Sequence, residues 1–133
     1  MTPDAPHLER GRRGEDLAEK RLTRLGLRIV ARNWRCPKGE IDFICRSGDT
    51  LVFVEVKTRA ASPQADPAGA VTASKRSRLV KAAMAYLSHN DAWDTPCRFD
   101  VVAITDTPHG PDIQHIENAF DATPHMGRGY QPW

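Results

Sequence analysis

Residues 40–46 and 51–58 are two runs rich in Ile, Val and Phe, separated by Ser47-Gly48-Asp49-Thr50. This pattern obliges the chain to fold around a tight antiparallel hairpin. Whether the loop is counted as Gly48-Asp49 or as all four residues, the numbers of opposed residues sum to 97, which sets Asp42 against Glu55 and Glu40 against Lys57. Side chains opposed in this way stand roughly 5 Å apart at Cβ. Two carboxylates at that separation repel unless a divalent cation lies between them or one keeps its proton. Gly39-Glu40-Ile41-Asp42 and Val54-Glu55-Val56-Lys57 therefore point to an acidic metal site. The plainer alternative is a Glu40 to Lys57 ion pair, with Asp42 and Glu55 merely solvated at a sheet end.

Alternation along the second strand puts Phe53, Glu55 and Lys57 on one face and Val52, Val54 and Val56 on the other. Both faces begin apolar, so this strand is expected to be central. A hard cation such as magnesium suits carboxylate oxygen and keeps several waters. Lys57, on the same side as Glu55, could hold a substrate anion.

The 133 residues, 40% hydrophobic and 27% charged, suit one globular domain with a real core. Met1 to Gly14 has no apolar h-region, and Glu55 interrupts the longest apolar run, so neither a signal peptide nor a membrane span is expected. A cytoplasmic protein follows. Cys36, Cys45 and Cys97 lack any Cys-x-x-Cys spacing, which argues for reduced, mostly buried thiols. The net charge of +2 hides an asymmetry: 17 Lys and Arg against 10 Asp and Glu through Asn90, but 2 against 7 thereafter. A basic surface around an acidic centre suits a polyanionic substrate, although dispersed solvating charge would give the same composition.

The remaining elements follow from periodicity. Gly14 to Leu25 reads as a helix with Ala18, Leu22 and Leu25 on one face and Gly26 ending it. Glu15 lies almost over Leu22, so it can reach toward the sheet, or else it serves only the positive end of the helix. Leu27 to Trp34 is expected to be a strand that turns at Cys36-Pro37-Lys38-Gly39, and Ala60 to Ala70 a mobile loop beside the site. A second helix over 72–89 has Leu79, Val80, Ala83, Met84 and Leu87 on its apolar face. Its first turns carry Lys75, Arg76, Arg78 and Lys81, where cations are mildly unfavourable unless an anion sits there. Lys75, four residues before Leu79, leans toward the packed side. Arg76 and Arg78 fit phosphate binding or an ordinary wet face. Cys97 to Thr105 is a strand and 112–117 a further edge strand, with an extended tail from Asn118. The five histidines form no recognisable motif and are given no chemistry. The domain is placed at 11–120, with a flexible start at 1–10 and a tail at 121–133.

Gly14-Glu15, Gly39-Glu40-Ile41-Asp42, Phe53-Val54-Glu55-Val56-Lys57-x-Arg59, Lys75, Arg98-Phe99-Asp100-Val101-Val102 and Ile116-Glu117-Asn118-Ala119-Phe120 together resemble the pattern of the YraN-type uncharacterised bacterial proteins. That family in turn is similar to the PD-(D/E)XK, or restriction-endonuclease-like, superfamily, and to its archaeal Holliday-junction resolvases. The resemblance implies an α/β fold with an αβββαβ core, a central mixed sheet flanked by helices. It implies that Asp42, Glu55 and the Val56 carbonyl bind magnesium or manganese, that Lys57 positions the attacking water, and that Glu15 is an additional acidic group. Ile41 stands where the superfamily's Pro usually precedes the first Asp. The expected activity is metal-dependent hydrolysis of DNA phosphodiesters, with Arg59, Lys75, Arg76 and Arg78 holding flanking phosphates and shape, such as a branch or junction, recognised over base sequence. The rival is a nucleic-acid-binding or adaptor protein that keeps the fold without cutting. The sequence is compatible with a homodimer and with a protein partner.

Overall fold

A computed structural model describes residues 6–60 and 72–122. The element order is α1 (Pro6–Arg24), β1 (Arg28–Cys36), β2 (Gly39–Ser47), β3 (Thr50–Ala60), α2 (Ala73–His89), β4 (Cys97–Thr107) and β5 (Gly110–Ile116). The five strands form one mixed sheet in the order β1-β2-β3-β4-β5. The first three are an antiparallel meander, β4 runs parallel to β3 after the α2 crossover, and β5 folds back antiparallel on β4. This is the α/β architecture of a restriction-endonuclease-like core, with β3 and β4 interior as their apolar faces require. Most of the loop expected at 60–70 and nearly all of the expected tail lie outside the described residues.

Each helix covers one face. On the α1 side Ala18, Leu22 and Leu27 pack with Phe43, Cys45, Val52, Val54, Val102 and Ile104. On the α2 side Leu79, Val80, Ala82, Ala83 and Leu87 pack with Ile41, Ile44, Leu51, Phe53, Phe99 and Phe120. The split of β3 into a Phe53 face and a Val52/Val54 face is thus the one its alternation predicts. Burying one Val, Leu or Phe contributes about 1.5–3 kcal/mol, so these two clusters are the main source of stability.

The β2–β3 register is Phe43↔Val54, Ile44↔Phe53, Cys45↔Val52 and Arg46↔Leu51, as expected. The first helix stops as expected too. Gly26 has φ 89, its N–H donates to the Thr23 carbonyl, and the Leu27 N–H donates to the Leu22 carbonyl, which together satisfy the last carbonyls of the helix.

Several strand ends lie one or two residues from the expected ones, as in β1, β4 and β5, and two boundaries differ more. Helix α1 begins at Pro6 instead of Gly14, so it extends into the segment expected to be flexible; proline is well tolerated at a first helical position, where no N–H is needed. The stretch after β5 is also not extended at its start. The Ala119 N–H donates to the Phe99 carbonyl at 2.7 Å, and Phe120 stacks on Phe99 with ring centroids 5.1 Å apart, so residues 118–120 close the α2-side core.

Candidate metal and phosphate site

The paired ladder between β2 and β3 ends at Phe43↔Val54, and the next positions in the same register are Asp42 and Glu55. The strands leave their regular pairing there, and Asp42 takes over: its Oδ2 accepts the backbone N–H of Val56 at 2.8 Å. On the other side, the β1–β2 register sets Asn33 beside Asp42, and Asn33 holds a left-handed φ of 54. Asn adopts that conformation more readily than most residues. Strict alternation breaks at this point of β2, since Ile41 and Ile44 both join the α2-side core.

Asp42 is 8% exposed, and its carboxyl group hydrogen bonds to that of Glu55. Burial, reinforced by the charge of Asp42 and by their shared hydrogen bond, pushes Glu55 up to about 8, while Lys57 and Lys75 pull it back. Asp42 is also raised, first by burial and then by Glu15 and Glu40, against the stabilising bonds from Val56 and Glu55. A buried and a half-buried carboxyl group hydrogen bonded to each other form a centre short of positive charge.

Lys57 projects from β3 on the Glu55 face, and Lys75 reaches it from the first turns of α2. The Lys75 ammonium is lowered first by its contact with Lys57, then by burial and by Arg78. Asp42, Glu55, Lys75 and Arg78 line one open cleft of about 450 Å³. Of the phosphate-binding residues expected from sequence, the structure therefore brings Lys75 and Arg78 to the carboxylates. Arg76 turns away, with its guanidinium 5.1 Å from the Phe120 ring centroid. Arg59 is half-buried further along β3, level with Thr105 of β4, beyond the cleft lining.

Glu15 does reach across from α1. Its Oε2 accepts from Arg32 and from the Asn33 side chain, both at 3.3 Å, and its charge acts on Asp42. Gly14 makes this approach possible, because a Cβ there would fall 2.0 Å from the Thr58 Cγ2. Glu40 does not form the ion pair with Lys57 that the plainer reading required; it meets Arg35 of β1 at 3.1 Å.

Among the described residues no group of three or more His, Cys, Asp and Glu side chains is placed to hold a metal ion. Asp42 and Glu55 alone still fit magnesium or manganese, which are commonly held by one or two carboxylates, with waters and substrate phosphate completing the shell. The Val56 amide is already committed to Asp42.

Three features were not anticipated. Arg32 and Asn33 hold Glu15, Arg35 and Lys38 line the cleft, and a second buried carboxylate is present at Asp100. Asp100 is 0% exposed and accepts from Arg98 at 3.1 Å, from the Asn118 N–H at 2.9 Å, and pairs with His115 at 2.7 Å. Burial would raise its carboxyl, but these partners hold it below the usual carboxylate range. The Arg98-x-Asp100 spacing on one strand face was the available signal. All three cysteines are free thiols, and burial pushes Cys45 up to about 12 and Cys97 to about 11. No described helix is long and apolar enough to cross a membrane.

Comparison with known proteins places the chain in a family. Residues 14–104 match the model of "Uncharacterised protein family UPF0102". A UPF0102 protein of Nitratidesulfovibrio vulgaris (strain DP4) is 50% identical over 133 residues, covering 98% of each chain. One from Geobacter sulfurreducens is 51% identical over 112 residues, 84% of this chain and 88% of its own. One from Pseudomonas fluorescens is 40% identical over 121 residues, 90% of this chain and 99% of its own.

Proposed function

The chain belongs to the uncharacterised protein family UPF0102, and we propose that it is a metal-dependent endonuclease that hydrolyses DNA phosphodiesters, with branched or junction DNA in repair or recombination as its substrate class. The observation that carries this reading is the pairing of the buried Asp42 carboxyl group with the half-buried Glu55 carboxyl group beside Lys57, at the point where β2 and β3 leave their ladder. A structural sheet gains nothing from two like groups so placed.

Asp42 and Glu55 would hold magnesium or manganese, with the Val56 carbonyl as a further donor. The bound cation would supply Lewis acidity and neutralise charge on the scissile phosphate. The chain's own residues do the rest. The Val56 N–H fixes Asp42 Oδ2 while the same carboxyl group meets Glu55. Lys57, an ammonium on the same strand face, orients the attacking water and meets negative charge as it develops on phosphate oxygens. Lys75 and Arg78 hold neighbouring phosphates. Such contacts set the position of a strand and carry no base sequence, which favours recognition by shape.

The test is incubation of purified protein with labelled linear, single-stranded, flap and four-way-junction DNA, with and without magnesium or manganese, beside Asp42→Ala and Lys57→Ala. Metal-dependent cutting that falls at least about a hundredfold in both variants is expected, the range typical of a lost catalytic group. Binding to every substrate with no cutting under any metal would instead assign an adaptor role on the same fold.

A further inference from the structure

The cleft has a second wall that no sequence signal marked. It is the β1–β2 turn, Cys36-Pro37-Lys38-Gly39, closed by the Cys36↔Gly39 pair. Lys38 from this turn and Arg35, the β1 residue just before it, line the same cleft as Asp42, Glu55, Lys75 and Arg78. The carboxylates thus lie between two pairs of cations, one carried by a hairpin and one by a helix.

Gly39 holds these walls in fixed relation. A Cβ at Gly39 would fall 2.9 Å from the Arg78 carbonyl oxygen and 3.6 Å from the Ala82 Cβ, so the hairpin backbone rests directly on α2. Arg35 is occupied only at the surface: its side chain is 74% exposed and its partner Glu40 is 44% exposed. An ion pair that open contributes little, so the guanidinium can exchange Glu40 for a phosphate at small cost. Cations that converge from two elements on one groove suit a chain with charge repeated along its length.

We propose that the β1–β2 turn is a phosphate-binding wall for a DNA strand lying in the cleft, with Arg35 and Lys38 holding backbone phosphates on one side of the Asp42–Glu55 centre and Lys75 and Arg78 holding those on the other. This rests on the nuclease reading for the identity of the ligand. Arg35 and Lys38 are positioning residues: they set which phosphate lies over the carboxylates.

The experiment separates this proposal from that reading by measuring binding without turnover. Fluorescein-labelled single-stranded and flap oligonucleotides are titrated by anisotropy against full-length Asp42→Asn protein in EDTA, across a salt series. The same background then carries Arg35→Ala, Lys38→Ala, both together, or Lys20→Ala as a charge control on an exposed position of α1. The double variant is expected to bind at least about fivefold more weakly at 0.1 M salt, with the slope of log affinity against log salt reduced by roughly one for each cation removed. Lys20→Ala is expected to change neither, and thermal melting to stay level across the set. A double variant that binds with the parent's affinity and salt slope overturns the hairpin wall and leaves the nuclease reading standing, as does an equal loss in Lys20→Ala. A parent protein that binds none of these DNAs overturns both.

Discussion

At the residue scale, the centre is defined by a proton. Glu55 is pushed up to about 8 by burial and by Asp42, so near neutrality it is mostly protonated and donates to its neighbour. A raised folded-state value means that the native state binds this proton more tightly than the unfolded chain. Its contribution to stability is complete below the ordinary glutamate range and is lost as pH rises through about 8. Glu55→Gln keeps the shape and a donor but removes the charge. In EDTA at pH 9 it is expected to melt several degrees higher than the parent, with the gap narrowing as pH falls and closing only below the ordinary glutamate range, as read by circular dichroism. A gap that does not change with pH would refute the buried-carboxylate account. The pair itself was legible in the sequence because a two-residue period and a short loop fix which residues oppose each other. Its neighbours were not. Asn33 and Arg32 meet Glu15 from a stretch of β1 where Asn33 holds a left-handed φ, and no periodicity encodes that.

At the scale of elements, the strands of the meander and both helices follow from apolar spacing, and the Gly26 stop of α1 follows from backbone chemistry. Their contacts do not. Lys75, Arg76 and Arg78 look alike in sequence, but helical geometry turns Lys75 and Arg78 to the cleft and lets Arg76 lie on Phe120, a residue from the far end of the fold. Gly39 is the most exacting junction between elements. Gly39→Ala forces the hairpin away from the Arg78 backbone, which cannot give way as a flexible side chain would. The expected cost is about 1–3 kcal/mol in urea unfolding, accompanied by weaker DNA binding, because both cationic walls lose their common footing. Stability equal to the parent would show that the hairpin and α2 are not locked together.

At the scale of the whole molecule, two buried carboxylate centres on the sheet respond to pH in opposite senses. Asp100 ties β4 to β5 and to the Asn118 turn, and its partners hold it below the usual range, so its stabilisation is present above ordinary aspartate values and is lost only as pH falls through its lowered folded value. Glu55 and Asp42 are raised, so their contribution is lost as pH rises, through about 8 for Glu55. Without a divalent cation the chain is therefore expected to be most stable in weakly acid solution and to lose stability steadily toward pH 9. A cation that replaces the shared proton reverses the second effect, because it is bound only by the ionised carboxylates and so binds more tightly as pH rises. Melting curves from pH 5 to 9 should decline in EDTA and flatten, or rise, in excess magnesium or manganese, by RT ln(1 + [L]/Kd) at each pH. The Asp42→Asn variant should lose the cation's effect across that range, while keeping the loss of stability set by Asp100 in more acid solution, below the ordinary aspartate range. Parallel curves with and without cation would mean that the two carboxyl groups share a proton for reasons unconnected with metal, and the nuclease assignment would lose its physical basis.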